Sequence, residues 1–392
     1  MNYSHLGAVA LAYAPLIDAQ RMVTATRLTV VPVRPDAKLD GAEVLACLNE
    51  VWPAGGGQVI LHVLSESLLL ELLGTELPAH VQLEVPAFMC SDAAVAEQLQ
   101  TLKKKGNVLL LKGVPSQGLA PELNACFKQV VLGPDDEARG SAELKLPRLI
   151  SGLRSAADID AAFKRGAQGV MGWPMQGAFE PAPGAPRSDI QADLQVIVEL
   201  MSRVDQDEDI ERLEQTLKRD PSLAFKLLRY LNSAAFGLPV EVSSFRHAIM
   251  LLGYPRLKRW LALLLTTASK DHSMRPIMYG ALRRGLLMEE LAKSMSDSEL
   301  RDEMFICGLF SLLDHMLKQP FDKLLQSIPM PERVRQALVD GSGPYQPYLA
   351  LVQAIENESI FDIRSAAEGL MLGLEEVNQC VLRALAKAAQ LE

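Results

Sequence analysis

Asp314 and His315 stand side by side in FICGLFSLLDHMLKQP, residues 305–320. Neighbouring His and Asp side chains can hold a metal ion that activates water for phosphoester hydrolysis. Such a centre needs several ligands converging from different helices. Beyond residue 190 the only other histidines are His247 and His272, the latter in the polar segment SKDHSM, and no second His–Asp cluster accompanies them. Successive residues on a helix point about 100° apart, so the order Asp then His aims the two groups differently from the reverse order. Leu309, Leu312, Leu313, Met316 and Leu317 form an apolar stripe beside the pair. The expectation is a packing helix with no metal.

Other constellations are weaker. Ser65-Glu66-Ser67 near His62 has the residue types for acyl transfer, but the chain has no GxSxG elbow, and Ser65 reads as a helix N-cap. Gly55-Gly56-Gly57 follows Pro53 and precedes a strand, the wrong side for a phosphate-binding helix start. No GxxxxGK[ST] loop is present. Asp135-Asp136-Glu137 reads as a solvated acidic turn. The 15 methionines fall at helical core spacings, as gap-fillers do. Cys47, Cys90, Cys126, Cys307 and Cys380 are odd in number and form no CxxC pair, which fits a reducing compartment and no disulfide framework. No cofactor is expected.

Those residues need elements to position them, and 392 residues suffice for two domains with separate cores. Thirty-nine Lys and Arg against 48 Asp and Glu give a net charge of -9, which argues against a dedicated nucleic-acid binder. Arg256, Lys258 and Arg259 form one local basic group. MNYSHLGAVALAYAPL lacks the basic start of a signal peptide, and RWLALLLTTAS is too short to span a bilayer. A cytoplasmic protein without a membrane span is expected.

Up to about residue 180, apolar runs alternate with amphipathic stretches. The predicted strands are AVALAYAPL, TATRLTVVPV, QVILHVL, HVQLEVPAF, NVLLLKGV, KQVVLG, PRLISGL and QGVMGW. GAEVLACLNEVW, SESLLLELLG, SDAAVAEQLQTLKKKG and SAADIDAAFKRG read as helices between them. This is an α/β layer with a mostly parallel sheet; eight strands suggest a closed β/α barrel, with an open sheet as the alternative. EPAPGAPRSD, residues 180–189, is a Pro- and Gly-rich linker. Beyond it the apolar period is helical throughout. Asp220-Pro221 reads as N-cap and first turn, Gly237 as a helix end, Ser243 as the cap of RHAIMLL, Gly253 as its stop and Pro255 as the next start.

DPSLAFKLLRYLNSAAFGLPVEVSSFRHAIMLLGYPRLKRWLAL resembles the HDOD domain, a helical relative of the HD phosphohydrolases, through Asp220-Pro221, Leu227-Leu228, Asn232-Ser233, Ser243-Ser244 and the Ala-Ile…Leu-Gly of 248–253. The resemblance implies a signalling or protein-interaction module. Its candidate interaction residues are Asp220, Arg229, Asn232, Ser233, Ser244 and Arg246. For all of them the residue types also suit plain capping or solvated roles.

The first half is similar to EAL domains, modified β/α barrels that hydrolyse cyclic di-GMP with two metal ions. LAYAPLIDAQRMVTATRL resembles the family's opening strands, HVQLEVPAF the strand bearing L-E-x-T-E, and PRLISGLRSAADIDAAFKRGAQGVMGWPM the closing segment. The family's acids are largely replaced. Thr26-Arg27-Leu28 stands for the signature glutamate, His62 for a metal-binding asparagine, Leu111-Lys112-Gly113 for paired aspartates, and Ser151 and Arg154 for the closing glutamates. Lys128 is out of register with the catalytic lysine. Glu84 alone remains, and it reads as a surface or cap residue. Lys112 and Arg154 would repel divalent cations.

The expected organisation is thus α/β plus all-α: a degenerate EAL-like barrel at 1–179, a linker at 180–189 and an HDOD helical domain at 190–392. The expected function is non-catalytic signal transduction through a protein partner, with a homodimer compatible. A cyclic di-GMP-binding sensor or residual phosphodiesterase is the alternative.

Overall fold

The computed structural model describes residues 4–34, 39–52, 57–116, 118–138, 145–175, 177, 179, 192–217, 244–267, 271–293, 295, 297–324, 328 and 330–391. The chain divides into two compact units, one of residues 1–176 with 353–382, the other of 177–352 with 383–392. Among the described residues no helix is long and apolar enough to cross a membrane.

The first unit is a closed eight-stranded barrel in sequence order. Its strands are β1 (Val9–Asp18), β2 (Val23–Pro32), β3 (Gln58–Val63), β4 (Val81–Pro86), β5 (Val108–Lys112), β6 (Phe127–Leu132), β7 (Arg148–Leu153) and β8 (Gly169–Gly172). β1 runs antiparallel to both neighbours, and every other pair is parallel. The eight predicted strands are all present. The helices between them start where short polar side chains meet free backbone N–H groups: Asp40, Ser65, Asp92 and Ser155 accept at the N-termini of Gly41–Val51, Glu66–Leu73, Ala93–Lys104 and Ala156–Lys164.

Strand periodicity organises the barrel interior. Leu16, Ala25, Ile60, Leu110, Val131, Leu149 and Met171 form one buried apolar cluster across seven strands. Side chains two residues further along a strand share its face. From Ala25, Ile60, Leu110 and Leu149 that step leads to Arg27, His62, Lys112 and Ser151. A polar layer therefore lies above the apolar one, toward the carboxyl ends of the parallel strands.

Helix Ile360–Gly369 and the start of Leu374–Leu391 complete this unit. β1 pairs with β8 only through Leu16, Ile17 and Asp18, so its earlier residues need other partners along that edge. Asn378, fully buried, provides them: its Oδ1 accepts from Leu11 N at 2.9 Å, and its Nδ2 donates to Leu6 O at 2.7 Å and Val9 O at 2.8 Å.

The second unit is helical among its described residues. At Gly253 the backbone turns to φ 70°, interrupting the helical run between Phe245 and Thr267. Glycine tolerates that conformation, and Pro255 follows in the second segment, as the sequence predicts. Helices Arg275–Leu291 and Ser298–Phe310 cross at two glycines. A Cβ on Gly308 would lie 2.5 Å from the Arg284 backbone, and one on Gly285 3.0 Å from Phe305 O.

Candidate functional site

The polar layer of the barrel brings together side chains far apart in sequence. Arg27 from β2 forms a bidentate pair with Glu84 from β4, Nε to Oε1 at 2.7 Å and Nη2 to Oε2 at 2.9 Å. Both side chains are buried. Arg27 Nη1 also donates to Glu358 at 3.2 Å. His62 from β3 lies 3.9 Å from Glu84, and its Nε2 is 2.6 Å from Lys112 Nζ on β5, itself 3.8 Å from Glu84. An ammonium offers only donors, so His62 Nε2 accepts and its Nδ1–H faces Thr29 Oγ1 at 3.3 Å.

Electrostatics follow from the packing. Burial pushes His62 down to about 3, so the imidazole is neutral near pH 7. Burial, reinforced by Arg27, also lowers Lys112. For Glu84 burial acts in the opposite sense, but the charge and hydrogen bonds of Arg27, with His62 and Lys112, outweigh it and hold the carboxyl below its ordinary range.

Glu84 is therefore not the surface or cap residue expected. It is 1% exposed, inside a barrel where both faces of a strand are buried. The layer does not fit a two-metal centre. Both oxygens of its inner carboxylate accept from Arg27, and a lysine ammonium lies beside it. Among the described residues no group of three or more His, Cys, Asp or Glu side chains converges as metal ligands. Lys128 is exposed and lies at a register shift: Leu109 pairs with Phe127 and Leu110 with Gln129. Ser65 caps its helix, accepting from Leu68 N at 3.3 Å.

In the second unit Asp314 and His315 hold backbone. Asp314 is buried and accepts from Phe179 N and His315 N, each at 2.8 Å. His315 Nε2 meets Gly177 O at 2.9 Å, and its ring stands edge-on to Phe179. Ser244 caps a helix by accepting from His247 N at 3.1 Å. Arg246 is exposed, 3.4 Å from Glu211 and 3.9 Å from Glu214. Asp220, Arg229, Asn232 and Ser233 lie outside the described residues, as do the 180–189 segment, Gly237 and Ser243. The expected basic group at 256–259 is largely neutralised: Lys258 pairs with Asp205, and Arg259 with Glu289 and Asp302 while covering the Phe305 ring.

Residues 192–318 match the family model of the HDOD domain. This stretch is an HDOD domain. The HDOD segment thus includes Ser244, Arg246, Arg259 and the Asp314–His315 pair. Over 191 residues the chain is 34% identical to the uncharacterized protein YuxH of Bacillus subtilis, covering 48% of this chain and 46% of the relative. Over 190 residues it is 27% identical to the cyclic di-GMP phosphodiesterase CdgJ of Vibrio cholerae, covering 48% and 44%. The chain spans a little under half the length of these curated relatives. Among solved structures it is similar to the EAL domain of Mycobacterium smegmatis DcpA, at 16% identity and a TM-score of 0.32, covering 42% of this chain and 90% of that one.

Proposed function

We propose that this is a cyclic di-GMP-related signalling protein whose barrel does not hydrolyse the dinucleotide and whose output is contact with a protein partner. One observation carries this reading: Arg27, His62, Glu84 and Lys112 are locked to one another where a two-metal hydrolase needs free carboxylates. The HDOD domain supports the interaction role, and the phosphodiesterase named among the relatives supports the pathway. The partner-facing residues proposed are Asp220, Arg229, Asn232, Ser233, Ser244 and Arg246, of which Ser244 and Arg246 are exposed in the structure.

The test is incubation of the full chain with cyclic di-GMP and magnesium or manganese, with chromatography of the products. No turnover is expected, and linear dinucleotide forming in proportion to enzyme would overturn the reading. A thermal-shift titration with the dinucleotide separates the sensor alternative, which demands a concentration-dependent rise in Tm.

A further inference from the structure

Helix Ile360–Gly369 of the first unit packs inward through Ile363 and Ala367. Its outer face carries apolar groups that this packing does not use. Phe361 is 78% exposed and Met371, just past the last turn, 93%. These are the two most exposed large apolar side chains among the described residues. Met371 also takes φ 57°, in the left-handed region where glycine costs least, so the backbone there gives no reason for a methionine.

Phe361, Arg364, Ser365 and Glu368 follow one another at the spacing of a single helix face. Together they line one wall of a groove of about 850 Å³, opposite Val33 and the half-exposed Leu64. Arg364 lies 3.9 Å from Glu368, both exposed, a geometry that contributes little within one chain.

The order of these groups is symmetric. Phe361 and Met371 stand five residues to either side of Ala366, and Arg364 and Glu368 two residues to either side. Turning the face about a two-fold axis through that point brings Phe361 opposite Met371 and Arg364 opposite Glu368, and each of these contacts occurs twice. Apolar thus meets apolar and base meets acid, while Ser365 and Ala366 leave the centre small enough for close approach. An isologous contact demands this self-complementarity.

We propose that this face binds a second copy of the chain, the two Ile360–Gly369 helices packing antiparallel across a two-fold axis. Each helix then lies in the groove of the other copy against Leu64. Glu66, on the same wall, offers a further carboxylate to Arg364 of that copy.

Sedimentation equilibrium of the full chain at about 1–100 μM tests this, with a dimer expected in that range. Phe361→Asp is expected to weaken the dimer at least about tenfold. Arg364→Glu and Glu368→Arg each oppose like charges twice and are expected to leave monomers. All three positions are exposed, and circular dichroism verifies that the variants are folded. Mixing the Arg364→Glu and Glu368→Arg chains should form a heterodimer, and the double variant carrying both changes should again form a homodimer. A wild type that stays monomeric would overturn the proposal and leave the groove to a different protein. A dimer indifferent to Phe361→Asp and the charge reversals, or single variants rescued neither by mixing nor by the double change, would overturn it as well. None of these outcomes bears on whether the barrel hydrolyses cyclic di-GMP.

Discussion

Arg27 and Glu84, 57 residues apart, meet in a bidentate ion pair inside the barrel, with Nε–Oε1 and Nη2–Oε2 distances of 2.7 and 2.9 Å. Breaking a buried pair from one side strands the other charge, at a cost of about 3–5 kcal/mol. Glu84→Ala is expected to destabilise the protein by that amount in urea denaturation. The double variant Arg27→Met, Glu84→Leu is expected to recover much of the loss, because no uncompensated charge remains from the pair.

His62 makes the barrel sensitive to acid. The unfolded imidazole takes up a proton near its ordinary value of about 6.5, whereas the folded one does so only at about 3. Between those values the unfolded state binds more protons, so stability rises with pH. Its full contribution is present above the unfolded value and is lost as pH falls. Glu84, held low in the fold, adds a loss in the same direction at more acidic pH. Urea midpoints measured between about pH 4.5 and 6.5 should yield a slope of at most ~1.4 kcal/mol per pH unit from His62. His62→Asn should remove that part and leave the share of His80, which burial also lowers.

In the HDOD domain the crossing at Gly308 has no room for a side chain. Gly308→Ala places a methyl 2.5 Å from the Arg284 backbone, and overpacking of this kind costs about 1–3 kcal/mol. Gly285→Ala, at 3.0 Å from Phe305 O, is expected to cost less. Denaturant midpoints of the two variants give the comparison; equal midpoints would show that the helices slide apart freely.

Asn378→Leu removes three hydrogen bonds at once and leaves Leu11 N, Leu6 O and Val9 O buried without them. At about 1–3 kcal/mol for each unsatisfied group, less whatever water recovers, a loss of several kcal/mol is expected. Hydrogen exchange at the Leu11 amide should accelerate in this variant more than at amides of β5.

Much of the barrel was legible because its strands are short apolar runs bounded by turn residues, with capped helices between them. Gly253 and Pro255 announced the break in the Phe245–Thr267 run through their backbone preferences. Glu84 misled because a lone acid in VQLEVP looks like a solvent-facing position, and its partner, Arg27, lies two strands away. The replaced acids were readable one by one, yet their mutual bonding depended on barrel closure. Glu358 and Asn378 gave no signal: their contacts with Arg27 and with β1 and the Leu6 carbonyl before it span 331 to 372 residues, a separation that no local period encodes.

The Asn378 bracket sets a schedule for biosynthesis. On a ribosome the eight strands emerge long before residue 378, so the outer edge of β1 waits through the synthesis of the entire HDOD segment. During that interval its backbone groups are available to water, chaperones or another nascent strand. Completion of the first unit thus waits on residues made after the HDOD segment.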